Sequence, residues 1–169
     1  MNTPTQSVLE TLAARLGEQL RLAGHTLATA ESCTGGWLGQ CLTAIPGSSA
    51  WYDRGFITYS YAAKTELLGV PKELIMTRGA VSEAVALAMA EGALARSQAN
   101  WTVAITGIAG PDGGTPEKPV GTVCFAWMGS DGSRQVTTRH LAGDRASIRA
   151  QAVATALHGL IEYSGQTLA

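Results

Sequence analysis

Three short apolar, β-leaning runs (residues 26–30, 54–59 and 101–106) alternate with stretches of helical periodicity, and nothing else in the sequence constrains the fold as strongly. Strands separated by helices pair in parallel, because each crossover returns the chain to the same edge-to-edge direction. Before the first strand, residues 7–23 place Val8, Leu9, Leu12, Leu16, Leu20 and Ala23 on one side of a helix that Gly24 ends. A helix over about 35–44 follows the first strand and is closed by Pro46-Gly47. The second strand leads into helices over 60–68 and 72–76. Ser82 then caps a long alanine-rich helix reaching about residue 97. After the third strand, residues 107–114 read as a long, flexible glycine loop. Residues 120–128, the Ser130-Asp131-Gly132 turn and residues 135–141 form a hairpin, and a helix over 145–163 ends the chain. The expectation is one α/β layered domain over residues 1–169, with a mixed, mostly parallel sheet flanked by helices.

Composition narrows the classes of function. Net charge of −1, from 12 basic and 13 acidic residues, provides no broad basic field for nucleic acid. No apolar run reaches the ~18–20 residues that span a bilayer, and the polar stretch 1–10 lacks the pattern of a signal peptide. Three cysteines, Cys33, Cys41 and Cys124, form no C-x-x-C pair and leave at least one unpaired, which favours a reducing, cytoplasmic setting. The histidines His25, His140 and His158 show no metal-binding spacing, and no metal or organic cofactor is expected.

The stretch Ala28-Thr29-Ala30-Glu31-Ser32-Cys33-Thr34-Gly35-Gly36-Trp37 runs from the first strand through a small-residue turn into a helix. Such a turn projects the Ser32 hydroxyl beside the unpaired donors of a helix start. That geometry suits a phosphate cradle or a serine nucleophile with an oxyanion site. It equally suits a glycine-rich turn that only brings a helix close to a strand. The Walker pattern fails, because Trp37 stands where Lys-Ser or Lys-Thr would follow. The loop 106–110 follows the third strand, so it and the Ser32 turn share the carboxyl edge of the sheet, where ligands collect in α/β folds.

A serine nucleophile needs a base. His140 is only a loose candidate, and of the three lysines, Lys64 falls just after the second strand, on the same edge as Ser32. To act near neutral pH its pKa has to fall from ~10.4, a bias of roughly 4 kcal/mol. Burial or a neighbouring cation supplies such a bias, and Tyr59 stands where it could orient the amine or relay its proton. The alternative for Lys64 is a solvated helix residue. Cys33 competes as nucleophile, since a thiolate at a helix start is activated; only one of the two adjacent side chains is expected to face the site.

Six motifs occur in order: Glu31-Ser32-Cys33-Thr34-Gly35-Gly36, Pro46-Gly47-Ser48-Ser49, Tyr59-Ser60 with Lys64, Gly79-Ala80-Val81-Ser82, Thr106-Gly107-Ile108-Ala109-Gly110-Pro111 and Lys118-Pro119-Val120-Gly121-Thr122-Val123. Together, over about residues 8–162, they resemble the CinA carboxy-terminal domain family, the nicotinamide-nucleotide amidohydrolases. The resemblance implies a stand-alone deamidase that converts nicotinamide mononucleotide to nicotinate mononucleotide and ammonia in pyridine-nucleotide salvage. It implies Ser32 as nucleophile and Lys64 as base, with Tyr59 and Ser49 in support. Thr34, Gly35, Gly36, Thr106 and Gly107 line the substrate site on this reading, and Arg145 or Arg149 is a candidate partner for the phosphate. Where family members often carry Asn-Glu before Ala-Lys, this chain has Tyr61-Ala62, a change in the wall beside the lysine. The expected partner is a small-molecule nucleotide, with neither nucleic acid nor membrane, and the apolar helix faces are compatible with a homodimer. The competing readings are a nucleotide-binding module without turnover and a Ser/Lys amidase for another amide.

Overall fold

In the computed structural model, which describes residues 3–166, the chain runs α1 (Gln6–Ala23), β1 (Leu27–Glu31), α2 (Trp37–Thr43), a 3-10 turn (Ser48–Ala50) and β2 (Tyr52–Ile57). It continues through α3 (Tyr61–Leu68), α4 (Lys72–Arg78), α5 (Glu83–Ala95), β3 (Trp101–Gly107), β4 (Thr122–Gly129), β5 (Arg134–His140) and α6 (Arg145–Gln166). The five strands form one sheet in the order β2-β1-β3-β4-β5. β1 pairs in parallel with both β2 and β3, while β4 pairs antiparallel with β3 and with β5. Four strands therefore share one direction, yet the pairings divide evenly between parallel and antiparallel.

Strand alternation sorts side chains by size onto the two faces. Leu27, Trp101, Val103, Ile105, Val123, Phe125 and Trp127 meet α1, α2 and α6 on one face. Ala30, Ala104, Cys124 and Ala126 meet α5 on the other, against Ala86, Met89, Ala90 and Ala93. Small residues on both sides let the alanine-rich α5 lie close, and buried Thr102 satisfies its hydroxyl on the Ala90 carbonyl at 3.1 Å. Removing the buried ring in Phe125→Ala would cost roughly 3–5 kcal/mol.

Several element ends differ from the sequence reading for local reasons. The second strand begins at Tyr52 and stops at Ile57, because β1 ends at Glu31, its partner in register, and the chain beyond turns away. Tyr59 therefore lies outside the sheet. α2 starts at Trp37 rather than residue 35, since Gly35 and Gly36 have φ of 61° and 96°. Two successive left-handed residues make the turn after Ser32, which only glycine tolerates without strain. Val8 is exposed, one position off the buried stripe of α1 that runs through Leu9, Ala13, Leu16 and Leu20.

The expected flexible loop is strapped down instead. The Ile108 and Gly121 amides donate to the carbonyls of Thr122 and Ile108, at 2.9 and 2.8 Å. Lys118 Nζ reaches across to donate to the carbonyls of Arg78 and Val81, at 2.8 and 2.7 Å.

Topology places the site. β1 connects outward to β2 while the adjacent β3 connects the opposite way to β4, so their carboxyl ends bracket a switch point. Ser32 leaves β1 at that crevice, its amide held by the Ile105 carbonyl of β3 at 3.0 Å.

Candidate active site

Glu31, the last residue of β1, folds its carboxylate onto the start of α2. The Gly36 and Leu38 amides donate to Oε2 at 3.0 and 3.1 Å, and the Gly39 amide donates to Oε1 at 2.9 Å. The buried carboxylate thus takes the helix-start donors that the sequence reading assigned to a ligand, and in doing so it fixes the turn that carries Ser32. A Cβ at Gly36 would come 2.8 Å from Ile57 Cδ1, a contact the exposed Ile57 side chain could relieve, so the φ of 96° is what calls for glycine there.

Lys64 arrives from α3. Ser60 Oγ caps that helix by accepting from the Ala63 amide at 3.0 Å, and Lys64 projects one turn further into the protein. Its side chain is 1% exposed. Nζ donates to Ser32 Oγ at 2.9 Å and to the Thr58 carbonyl at 2.7 Å. Among the described residues no carboxylate pairs with it, and burial lowers its pKa to about 8. A lysine whose pKa desolvation brings down toward neutrality, hydrogen-bonded to a serine hydroxyl, is a competent general base.

Cys33 borders the same cavity, while its buried side chain belongs to the core beneath α1, α2 and α6. Burial drives the Cys33 thiol up to about 11, which keeps it protonated and removes the activated-thiolate reading. His140 sits on the outer strand β5, with Nδ1 3.3 Å from Thr122 Oγ1, and takes no part in this cavity.

The cavity, about 230 Å³, is lined by Ser32, Cys33, Tyr59, Tyr61, Lys64, Ala80, Val81, Thr106, Gly107, Ala109 and Arg145. Six of the sequence-derived candidates line it: Ser32, Tyr59, Lys64, Thr106, Gly107 and Arg145. Thr106 and Gly107 line it, although the Thr106 hydroxyl is already donating to the Ala80 carbonyl at 2.8 Å. Thr34, Gly35 and Gly36 shape the turn but stand outside the lining, with Thr34 fully buried.

Tyr59 borders the cavity, but its hydroxyl accepts from Arg145 at 3.0 Å, not from Lys64. The carbonyl of Thr58 does the orienting expected of Tyr59, a backbone role that no side-chain pattern signals. Ser49 is exposed in the turn before β2, at the opposite end of the strands from Ser32. Six strand residues separate the two ends, roughly 20 Å, so Ser49 does not meet the Ser32–Lys64 pair within one chain.

The two arginines of α6 also separate. Arg145 lines the cavity, its guanidinium donating to the Gly110 carbonyl at 2.8 Å as well as to Tyr59. Arg149 instead grips the Ser32 turn, donating to the carbonyls of Cys33 and Thr34 at 3.0 and 2.9 Å. Among the described residues no group of three or more His, Cys, Asp or Glu side chains is arranged to hold a metal ion, and no helix is long and apolar enough to cross a membrane.

Fold and site together define a mixed-sheet α/β domain with a buried serine–lysine pair at the carboxyl edge of its parallel strands. The sequence pattern of the CinA C-terminal domain matches residues 9–164, and the chain belongs to that family. It is 52% identical to the nicotinamide-nucleotide amidohydrolase PncC of Pseudomonas putida, over 91% of this chain and 96% of that protein. It is 49% identical to the PncC of Escherichia coli (strain K12), over 92% and 94%. Among solved structures, the competence/damage inducible protein CihA of Agrobacterium tumefaciens superposes with a TM-score of 0.90, at 47% identity over 96% of this chain and 98% of that one. A CinA superfamily protein of Escherichia coli superposes with a TM-score of 0.89, at 38% identity over 96% and 94%.

Proposed function

We propose that the chain hydrolyses the carboxamide of nicotinamide mononucleotide to nicotinate mononucleotide and ammonia through a Ser32 acyl-enzyme. The single observation that carries this reading is the 2.9 Å contact between Lys64 Nζ and Ser32 Oγ. The names of relatives about 50% identical over nearly the whole chain support the substrate.

Neutral Lys64 takes the Ser32 proton as Oγ attacks the carboxamide carbon, forming the C–O bond and placing the electron pair on the carbonyl oxygen. Collapse of that oxyanion breaks the C–N bond, and the Lys64 ammonium returns the proton to departing ammonia. Water then attacks the ester carbon while Lys64 accepts its proton. The ester C–O bond breaks, and Ser32 recovers its proton from Lys64. The balance is one amide and one water consumed, one carboxylic acid and one ammonia formed, with Ser32 and Lys64 restored.

At about 230 Å³ the cavity suits the ring and amide of a nucleotide better than the whole molecule, since sites that enclose small ligands run to ~300–1,000 Å³. Arg145, exposed at the cavity wall, then meets the phosphate at the mouth. Three unbridged thiols, Cys33, Cys41 and Cys124, favour a cytoplasmic setting.

The test is ammonia release from nicotinamide mononucleotide, nicotinamide riboside and free nicotinamide, with nicotinate mononucleotide identified as product. The reading expects equimolar ammonia and acid from the nucleotide and far slower turnover without the phosphate. Tight binding with no ammonia would point to a binding module, and ammonia only from an unrelated amide would point to another amidase.

A further inference from the structure

The amides of the Ser32 turn can be accounted for one by one. The Ser32 N–H donates to the Ile105 carbonyl, the Gly35 N–H to the Ser32 carbonyl at 3.0 Å, and the Trp37 N–H to the Thr34 carbonyl at 3.1 Å. Those of Gly36, Leu38 and Gly39 are bound by Glu31. Among the described residues, the N–H groups of Cys33 and Thr34 donate to no backbone or side-chain oxygen. Cys33, at 6% exposure, borders the cavity, whereas Thr34 is wholly buried and stands outside the lining. A buried donor left without an acceptor costs about 1–3 kcal/mol, and an orphan of this kind calls for a functional explanation. The Cys33 amide directly follows the nucleophile and belongs to a residue of the cavity wall.

The other side of the same peptide groups carries a charge. In a trans peptide the N–H points opposite to the C=O. Arg149 Nε binds the Cys33 carbonyl at 3.0 Å, on the peptide whose N–H belongs to Thr34. Its second nitrogen binds the Thr34 carbonyl at 2.9 Å, on the peptide whose N–H, that of Gly35, binds the Ser32 carbonyl. The Ser32 carbonyl shares its peptide with the Cys33 N–H. The guanidinium therefore polarises the Thr34 amide directly and the Cys33 amide through one peptide relay. Hydrogen bonds in such a chain strengthen one another. Arg149 forms no ion pair among the described residues, and it lies 5.3 Å from the centre of the Trp37 ring, so no carboxylate neutralises its charge.

We propose that the Cys33 amide is the oxyanion donor of Ser32, and that Arg149 positions and polarises it from behind the turn. The proposal rests on the acyl-transfer reading of Ser32. Arg149 is a positioning residue, because it does not line the cavity and acts only through the turn's peptides. Two arginines four residues apart on α6 thereby divide the work, Arg145 facing substrate and Arg149 facing the catalytic turn. The site also differs from a helix-start anion site, since Glu31 has already taken those donors.

The test compares wild type with Arg149→Met and Arg149→Lys on nicotinamide mononucleotide and nicotinamide riboside. Loss of an oxyanion donor lowers kcat by ~100-fold or more, and weakening the Cys33 donor through Arg149→Met is expected to lower it by up to about that factor. KM should change less than about threefold, the factor should be equal on both substrates, and the pH midpoint should stay where Lys64 sets it. Arg149→Lys should recover part of the rate, and methylguanidinium added to Arg149→Ala should restore turnover. An unchanged kcat, or a loss confined to KM for the phosphorylated substrate, would overturn the proposal. A fluorophosphonate provides an arm independent of substrate identity, because its phosphoryl oxygen occupies the oxyanion position when it labels Ser32. Labelling should slow in both variants, and undiminished labelling in Arg149→Met overturns the proposal. Wild type that is labelled yet releases no ammonia from the nucleotide would instead defeat the proposed function alone. Should Arg149→Met fail to fold, Arg149→Lys with wild-type thermal unfolding decides by the same readouts.

Discussion

Lys64 Nζ lies 2.9 Å from Ser32 Oγ, and the lysine is buried with the Thr58 carbonyl as its other acceptor. Thirty-two residues of chain separate the two, and the parallel pairing of β1 with β2 closes that gap. β2 delivers α3, and with it the lysine, to the same sheet edge at which β1 releases the serine. The consequences can each be measured.

The rate should depend on the unprotonated form of Lys64. Burial lowers its pKa to about 8, so the base form grows as pH rises and loses ground as pH falls through that value. At pH 7 roughly a tenth of the lysine is neutral, one pH unit below the midpoint. A profile of kcat/KM against pH should climb to a plateau above a midpoint near 8. A flat profile from pH 6 to pH 9 would exclude lysine as the base.

Arg145→Met should act on recognition. Its guanidinium lines the cavity and makes contact with Gly110 and Tyr59 without touching Ser32 or Lys64. KM for nicotinamide mononucleotide should rise by about 10- to 100-fold, the equivalent of ~1.5–3 kcal/mol for a charge-assisted contact. KM for nicotinamide riboside should hardly move. Equal losses on both substrates would remove the phosphate role.

Glu31→Gln should weaken both fold and rate. The carboxylate accepts from three amides, whereas a carboxamide offers one acceptor oxygen and turns an NH2 toward donors. Chemical denaturation should show a loss of about 2–3 kcal/mol, and kcat should fall because the turn carrying Ser32 loosens. Wild-type stability in this variant would mean that the cap is dispensable.

Cys33→Ala should keep most of the activity, within about threefold, because a thiol held near pKa 11 is protonated and unreactive at neutral pH. Iodoacetamide should accordingly inactivate the wild type slowly. Rapid inactivation protected by substrate would return Cys33 to the mechanism.

Much of this arrangement was legible from residue order. Apolar runs separated by helical periodicity indicated parallel strands, and parallel strands put Ser32 and Lys64 on one edge before any distance was known. The alanine-rich pattern of α5 likewise marked a long helix, but not the small strand residues it packs against. What stayed hidden depends on backbone groups and on where strands stop. The Thr58 carbonyl that holds Lys64 belongs to no motif. Tyr59 could not be separated from the lysine until β2 was seen to end at Ile57. Glu31 and Arg149 act on amides and carbonyls of the Ser32 turn, contacts that need the path of the turn itself. Ser49 entered only through resemblance, and strand direction places it at the far end of the sheet.

Ammonia release from nicotinamide mononucleotide by wild type, Ser32→Ala and Lys64→Met tests the central claim most directly. Each substitution should lower kcat by on the order of 10⁴-fold or more, and the double variant should be no worse than the weaker single, because nucleophile and base act as a unit. Circular dichroism should show both variants folded. A folded Ser32→Ala protein that still releases ammonia at the wild-type rate would contradict the serine–lysine account.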